Sequence, residues 1–304
     1  MEIKVTDLDA GKRIDNFLIK VLKGVPKSLI YRLTRQGKIR VNKKKVELTC
    51  RLNENDIIFT PNLATMNNNK KIPIPSNTLA EKLRKSILYE DQDLLVLNKP
   101  YGLAVHGGSS LSFGLIEALR QIFSQEKYLE LAHRLDRDTS GCLIIAKKPA
   151  VLKELHTLLR EGKVNKIYLA LTLGKWKNKK NIVEEALEKN ILQSGERVVK
   201  KSVDGKYAKT EFNVEKVFAN CTLTRIKLFT GRTHQIRVHA KLAGHPIAGD
   251  EKYGDKAFNN IMKTYGLQRL FLHAAEVEFT LPAKKTITVT AGLPEQMQIV
   301  LKNL

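Results

Sequence analysis

Short β-rich segments follow one another closely through the C-terminal two-thirds of this 304-residue chain. They span residues 87–89, 94–97, 143–146, 166–171, 210–217 and 221–229. Several neighbours are separated by too few residues for a helix to cross between parallel strands, so most must pair antiparallel. Helical patterns lie between them at residues 115–123, 150–161 and 235–243. The spacing therefore predicts an α+β fold with helices flanking a mixed, mostly antiparallel β-sheet.

The first 60 residues differ in pattern and are predicted to form a small α/β domain. Apolar residues at helical spacing indicate one helix before Pro26 and another after it, which Gly37 is placed to end. Short strands are predicted at residues 38–41, 45–48 and 56–59, with a turn at 42–43. Residues 61–85 are assigned to a linker, because their first part is rich in proline, asparagine and lysine without periodicity. The second domain is then residues 86–304.

The net charge of +22 points to a polyanionic partner, most commonly nucleic acid. Residues 1–60 hold 14 lysines and arginines against seven aspartates and glutamates. The basic residues continue from the second helix into the turn after it, which favours RNA binding over a merely solvated basic face. The candidate RNA-binding residues are Lys27, Arg32, Arg35, Lys38, Arg40, Lys43 and Lys44.

The same sequence predicts a cytoplasmic protein that does not enter a membrane. Its first residues are charged and lack the apolar core of a signal peptide. No apolar run approaches the ~18 residues of a membrane span. Cys50, Cys142 and Cys221 are odd in number and far apart, which is typical of reduced thiols and not of a disulfide framework.

Residues 132–141 form the most polar segment, with two carboxylates, two arginines, a histidine and two hydroxyls before Gly141. An apolar run, 142–146, follows directly. A polar segment just ahead of a buried strand suits a loop at the mouth of a cleft. Two further polar clusters, at 165–170 and 230–250, also adjoin apolar segments. Three such clusters in one domain favour a shared cleft.

Several kinds of catalytic site are disfavoured by spacing. His234 and His239 are five residues apart, which does not place two metal ligands on one helical face, and the cysteines lack ligand spacing. A triad could be drawn from Ser140, His133 and Asp136, but no Gly-x-Ser-x-Gly elbow precedes a helix. No glycine-rich segment has the lysine and spacing of a phosphate-binding loop. We therefore expect no metal site.

The segment His133-Arg-Leu-Asp-Arg-Asp-Thr-Ser-Gly141 resembles the catalytic motif of the RluA-type pseudouridine synthase family. Other segments resemble further motifs of this family in order and spacing: residues 98–108, 166–168, 231–239, 244–250 and 269–274. The first 60 residues resemble the small RNA-binding domain shared by a small-subunit ribosomal protein and tyrosyl-tRNA synthetases. Within the family, the combination is most similar to the RluC branch.

This resemblance implies both a fold and an activity. The fold would be that of the pseudouridine synthases, with a central active-site cleft in the sheet domain. The activity would be isomerisation of specific uridines to pseudouridine in large-subunit (23S) ribosomal RNA, with no metal, cofactor or energy source. We expect the protein to be a monomer, because a strongly positive surface repels its own copies.

The resemblance also assigns roles to the principal residues. Asp136 would be the essential catalytic carboxylate, which either attacks the anomeric carbon or removes the 2′ proton of the sugar. Arg237 would pair with Asp136, keep it charged and fix its direction. Tyr168 would stack on the uracil, with its hydroxyl near the departing proton of carbon 5. Arg134 would enter the space left by the flipped base, and Ile236 would pack against that base.

Three neighbours of Asp136 are expected to have supporting parts: His133, Thr139 and Ser140. The two hydroxyls are expected to hold the loop through hydrogen bonds to its backbone. Two alternatives stay open, namely an RNA- or ribosome-binding protein without catalysis and a hydrolase that uses Asp136 with His133. The sequence does not decide which uridines react, or whether free RNA or a pre-ribosomal particle is bound.

Overall fold

The computed structural model describes residues 1–22, 25–62, 75–107, 113–191, 197–282 and 285–304. The chain divides into two compact units, Met1–Ile72 and Pro73–Leu304. Within the described ranges, no helix is both long enough and apolar enough to cross a membrane.

The described part of the first unit contains two α-helices, one short 3₁₀ helix (Asp7–Asp9) and a four-stranded sheet. The helices are α1 (Ile14–Val21) and α2 (Lys27–Arg35); the strands, in spatial order, are β1 (Glu2–Lys4), β4 (Ile57–Phe59), β2 (Arg40–Val41) and β3 (Lys44–Lys45). Asn42 and Lys43 both have positive φ, as expected of the predicted tight turn. The strand predicted at residues 45–48 is wrong in extent. Its partner β2 starts only at Arg40, so pairing ends at Lys45.

Residues 77–85 form a helix, α3 (Asn77–Lys85), within the range assigned to the linker. The Ser76 hydroxyl caps it by accepting a hydrogen bond from the Leu79 N–H at 3.2 Å. Leu83 is fully buried in the main core of the second unit. Helix α3 directly follows the proline- and asparagine-rich stretch, so composition alone does not distinguish it from the linker.

The second unit is built on an 11-stranded sheet. Its strands are β5 (Ile87–Glu90), β6 (Leu94–Lys99), β7 (Glu130–Leu131), β8 (Ser140–Ala146), β9 (Asn165–Leu173), β10 (Lys180–Ile191), β11 (Arg197–Lys201), β12 (Lys206–Val217), β13 (Cys221–Leu228), β14 (Leu272–Thr280) and β15 (Thr286–Thr290). Nine of them follow the order β11-β10-β12-β13-β9-β14-β8-β6-β5, with β15 beside β14 and β7 beside β8. Among the strand pairs of the described residues, only β14–β8 is parallel. The predicted mixed, mostly antiparallel sheet is confirmed.

Five further helices belong to this unit: α4 (Leu115–Ile122), α5 (Pro149–Arg160), α6 (Gln235–Leu242), α7 (Lys256–Thr264) and α8 (Glu295–Asn303). The three predicted helices correspond to α4, α5 and α6. Strand β8 is buried along its whole length and divides its side chains between two cores. Leu143 and Ile145 face the core that includes α4 and α6, whereas Ile144 faces the core that includes α5. The loop that precedes β8 lies beside the first turn of α6, and residues of both line one cavity.

Candidate active site

The loop that carries Asp136 is held as a tight turn. The Asp136 carbonyl accepts a hydrogen bond from the Thr139 N–H at 3.1 Å, and Thr139 is buried. Gly141 then enters β8 with φ +111°, and a Cβ there would lie 2.1 Å from the Ala274 carbonyl oxygen. Only glycine fits at this position, because the backbones of β8 and β14 approach too closely for a side chain. Asp136 is therefore presented from a rigid segment.

A buried lysine supports this loop from below. The Lys99 ammonium donates to the carbonyls of Pro100, Leu103 and Arg137 at 2.9–3.0 Å. Burial lowers the pKa of Lys99 to about 7, against the opposing charge of Asp138. The contact with the Arg137 carbonyl ties the residue after Asp136 to the end of β6.

Ser140 belongs to a buried network on the far side of the loop. Its hydroxyl accepts a hydrogen bond from Arg269 at 2.6 Å and lies 2.9 Å from Nδ1 of His273. The other ring nitrogen of His273 is 3.1 Å from the Ala291 carbonyl, which can only accept, so Ser140 donates to Nδ1. The hydroxyl is thus engaged with His273, and the triad with His133 does not form.

His133 is also directed away from Asp136. Its Nε2 atom accepts a hydrogen bond from the Ile144 N–H at 3.1 Å, across the start of β8. Burial lowers the pKa of His133 to about 3, with a smaller contribution from the Lys166 charge. The ring is therefore neutral and its acceptor nitrogen is occupied, which argues against a hydrolase that uses His133 as a base.

Arg237, in the first turn of α6, forms a two-point ion pair with Asp250. Its Nε and Nη2 atoms each lie 2.7 Å from one carboxylate oxygen of Asp250. Asp250 also accepts hydrogen bonds from the backbone N–H groups of Lys252 and Tyr253 at 2.9 Å. Burial alone would raise the pKa of Asp250, but the hydrogen bonds and charge of Arg237 outweigh burial and lower it. Both partners are thus charged and fixed.

Asp136 lies beside the remaining face of this guanidinium. Nη1 of Arg237 is 3.8 Å from Oδ2 of Asp136, and Nε2 of His234 is 3.9 Å from the same oxygen. The Asp136 side chain keeps a fifth of its surface exposed. We predicted Arg237 as the partner of Asp136; the two are adjacent, although the closer partner of Arg237 is Asp250. Asp136 is the less buried of the two carboxylates.

A small cavity of about 90 Å³ opens beside Asp136. Tyr168 and Ile236, both nearly buried, line it, and the exposed Arg134 stands at its edge. Burial and the Asp136 charge raise the pKa of Tyr168, so its hydroxyl is protonated at neutral pH. A wider cleft of about 830 Å³ shares Arg134, Asp136 and Arg237 with the cavity. The geometry suits a flat base in the cavity and a larger chain in the cleft.

The structure brings most of the predicted site together. Thr139 and the five residues given principal roles line one cavity: Arg134, Asp136, Tyr168, Ile236 and Arg237. His133 and Ser140 do not line it. The seven basic candidates of the first unit are all exposed, and none pairs with a carboxylate among the described residues: Lys27, Arg32, Arg35, Lys38, Arg40, Lys43 and Lys44.

Three residues of the site were not predicted to act there: Lys99, His234 and Asp250. His234 and Asp250 lie in the polar cluster of residues 230–250, for which the sequence suggested only the histidines as possible metal ligands. The available signal for an ion pair with Arg237 was an aspartate placed directly after the small or apolar residues 247–249. Within the described ranges, no three His, Cys, Asp or Glu side chains are grouped so that they could hold a metal ion.

Comparison with known proteins agrees with this geometry. The family described as RNA pseudouridylate synthase matches residues 93–242, which include the Asp136 loop, β9 and α6. A Haemophilus ducreyi protein named ribosomal large subunit pseudouridine synthase C is 51% identical over 99% of this chain and 94% of its own length. The Escherichia coli K12 protein of the same name is 48% identical over 99% and 96%.

The chain belongs to the RNA pseudouridylate synthase family. Solved structures of relatives have the same fold. Human RNA pseudouridylate synthase domain containing 4 is 28% identical, with a TM-score of 0.61 over 75% of this chain and 95% of that one. Human RNA pseudouridylate synthase domain containing 1 is 26% identical, with a TM-score of 0.59 over 73% and 87%. The predicted pseudouridine synthase fold is confirmed, and the chain is an isomerase that converts uridine in RNA to pseudouridine.

Proposed function

We propose that this chain isomerises uridines of large-subunit ribosomal RNA, with Asp136 as the catalytic carboxylate. The substrate class follows from relatives that are 48–51% identical over nearly the whole chain and are named for the large ribosomal subunit. The catalytic assignment depends on one observation. Asp136 is partly exposed in a cavity beside Tyr168, with the fixed charge of Arg237 3.8 Å from its oxygen.

The reaction breaks the bond from the sugar to N1 of uracil and joins the same sugar carbon to C5. The base turns in between; C5 loses a proton and N1 gains one, so no atoms are gained or lost. No oxidant or co-substrate is needed to balance this change. Asp136 either attacks the anomeric carbon or removes the 2′ proton of the sugar, and either route requires an ionised carboxylate. The Arg237 guanidinium lies 3.8 Å from the Asp136 oxygen, on the side of the cavity.

The target base must leave its stack before it reaches Asp136. Arg134 is exposed and borders both the cavity and the wider cleft, so its planar guanidinium can occupy the space that the base leaves. Tyr168 offers a ring on which the flipped uracil stacks, and its protonated hydroxyl is unsuited to act as a base at neutral pH. Ile236 closes the cavity against the other side of the base.

The first unit is proposed to bind the RNA backbone. The seven candidate lysines and arginines of this unit are exposed and form no ion pair with a described carboxylate, unlike Lys12 and Lys20, which pair with Asp9. Unpaired cations bind phosphate without first losing a protein partner. A second module on one chain also raises the effective concentration of RNA at the catalytic unit.

We place this activity in the cytoplasm, since the proposed substrate is a bacterial-type ribosomal RNA.

We also expect a monomer. A charge of +22 disfavours close approach of two copies unless RNA lies between them. Sedimentation of the RNA-free protein at moderate salt should give one mass, near 34.4 kDa. A dimer under those conditions would contradict this expectation.

The assignment of Asp136 is tested with Asp136→Asn. Release of tritium from carbon 5 of labelled uridine in large-subunit RNA should fall by at least 10³-fold, while RNA affinity stays within a few-fold, because the amide keeps the shape but cannot attack or take a proton. Asp138→Asn, in the same loop, is the matched control and should keep most of the rate. Normal turnover by Asp136→Asn would refute the assignment. Release of free uracil by the unaltered protein would indicate a hydrolase.

A further inference from the structure

His234 has a backbone conformation that calls for an explanation. It precedes α6 with φ 52° and ψ 18°, in the left-handed region that side chains other than glycine rarely adopt. Such a conformation persists only where surrounding contacts enforce it, and it is concentrated at functional sites. Here the backbone turn brings the His234 ring to 3.9 Å from Oδ2 of Asp136.

Tyr253 determines which nitrogen of this ring carries the proton. Its hydroxyl accepts a hydrogen bond from the Val199 N–H at 2.9 Å and lies 2.7 Å from Nδ1 of His234. The hydroxyl has one proton, and Tyr253 is nearly buried, so that proton is best placed on Nδ1. Nδ1 is therefore the acceptor, and Nε2–H faces Asp136. Burial lowers the pKa of His234; the Arg237 charge acts in the same direction and the Asp136 charge opposes it. The ring is therefore neutral.

This arrangement connects Asp136 to the edge of the sheet. Val199 lies on β11, the terminal strand of the 11-stranded sheet, and its N–H bonds to Tyr253. The ring of Tyr253 also lies 5.0 Å from the Arg237 guanidinium and packs edge-on to His234. One buried phenol thus contacts both groups that flank the same oxygen of Asp136.

We propose that His234 is a positioning residue for Asp136, held by Tyr253 and the β11 backbone in the tautomer that directs Nε2–H at the carboxylate. The proposal deepens the proposed function and rests on its assignment of Asp136. The 3.9 Å separation is longer than a hydrogen bond, and we expect it to shorten in the complex with RNA. Two nitrogens at the start of α6, from His234 and Arg237, then fix the direction of one oxygen.

The tautomer is measured without reference to turnover. Two-bond ¹H–¹⁵N spectra of the full chain, with the His234 signals identified by their loss in His234→Gln, should show a protonated Nε2 and a bare Nδ1. Tyr253→Phe removes the proton donor and should give a mixture of both tautomers. Tyr265→Phe loses a hydroxyl elsewhere in the unit and should leave the His234 signals unchanged. A protonated Nδ1 in the unaltered protein would overturn the proposal.

Single-turnover rates then test the positioning role. Tyr253→Phe should slow the reaction by about tenfold and His234→Ala by about 100-fold, with the dissociation constant for RNA within about twofold in each, since a directed donor acts on the reacting state. His234→Gln, whose amide can donate to Asp136, should recover part of the rate. Unchanged rates in Tyr253→Phe and His234→Ala would refute this inference and leave the proposed function intact. Failure of the proposed function would instead appear as normal turnover by Asp136→Asn.

Discussion

Arg237 directs two of its nitrogens at Asp250, each at 2.7 Å, and leaves the third 3.8 Å from Asp136. The two carboxylates therefore differ in environment. Asp250 is buried and accepts four hydrogen bonds, whereas Asp136 is partly exposed and lies 3.8 and 3.9 Å from Arg237 and His234. A guanidinium fixed by one carboxylate can act on the other without rotating, which is a form of electrostatic preorganisation.

Removing the charge of Asp250 should therefore lower the stability of the fold. Asp250→Asn leaves the buried Arg237 with the more distant Asp136 carboxylate, at 3.8 Å, as its nearest described counter-ion, and breaking a buried pair in this way typically costs ~3–5 kcal/mol of stability. The exposed pair of Lys163 and Glu161 provides the control, because Glu161→Gln should cost at most ~1 kcal/mol. Urea unfolding of the full chain measures the loss of stability in each of the two variants. Equal, small losses in the two variants would contradict the role given to Asp250.

Arg134 should matter most when the target base is stably stacked. Arg134→Ala should slow turnover by roughly 10- to 100-fold on RNA whose uridine lies in a stacked helix, since the guanidinium offsets an unstacking cost of a few kcal/mol. On RNA with the uridine in a bulge or mismatch, the loss should be several-fold smaller. Single-turnover rates on the two RNAs give the comparison. An equal loss on both would indicate a role other than filling the vacated position.

The basic surface of the first unit should appear in the salt dependence of RNA binding. Replacing Lys27, Arg32 and Arg35 together by alanine should lower the slope of log affinity against log salt by about 2–3, or ~0.7–0.9 per lost phosphate contact. The control replaces Lys12 and Lys20, which are already paired with Asp9, and should change the slope by less than 1. Filter binding across a salt series measures both. Identical slopes for the triple variant and the unaltered protein would exclude this surface.

Acid should destabilise the protein partly through His273. Burial lowers the pKa of His273 to about 4, whereas in an unfolded chain it is about 6.5. Between these values the unfolded chain binds a proton that the folded one does not, so stability is lost as the pH falls from about 6.5 to about 4. From pH 7 to 5 this histidine should account for about 2 kcal/mol. His133 contributes with the same sign.

The contribution of His273 is isolated by comparing slopes. His273→Gln cannot take up the proton, so its unfolding free energy should fall less steeply between pH 7 and 5 than that of the unaltered protein. His156→Gln, at an exposed position on α5, should retain the original slope. Urea midpoints at four or five pH values are sufficient. Parallel curves for His273→Gln and the unaltered protein would show that the Ser140 network carries no linked proton.

The sequence by itself determined the sheet class, five helices and six of the cavity residues. These depend on local patterns: period-two and period-3.6 hydrophobicity, short connections that require antiparallel pairing, and a polar motif with few alternatives. Helix α3 and the paired strands β10 and β11 were not predicted. Helix α3 adjoins a proline-rich stretch, and β10 and β11 are dense in charged residues, so the composition of neither differs clearly from that of a loop.

Only the tertiary structure decided how the charged groups pair. Asp250 competes with Asp136 for Arg237, Ser140 bonds to His273 and not to His133, and Tyr253 selects the tautomer of His234. Each of these contacts joins elements that lie apart in the chain or crosses a turn, and several partners of equal chemistry are present in the sequence. Distance and burial choose among them, because hydrogen bonds and ion pairs depend steeply on geometry that residue spacing does not encode.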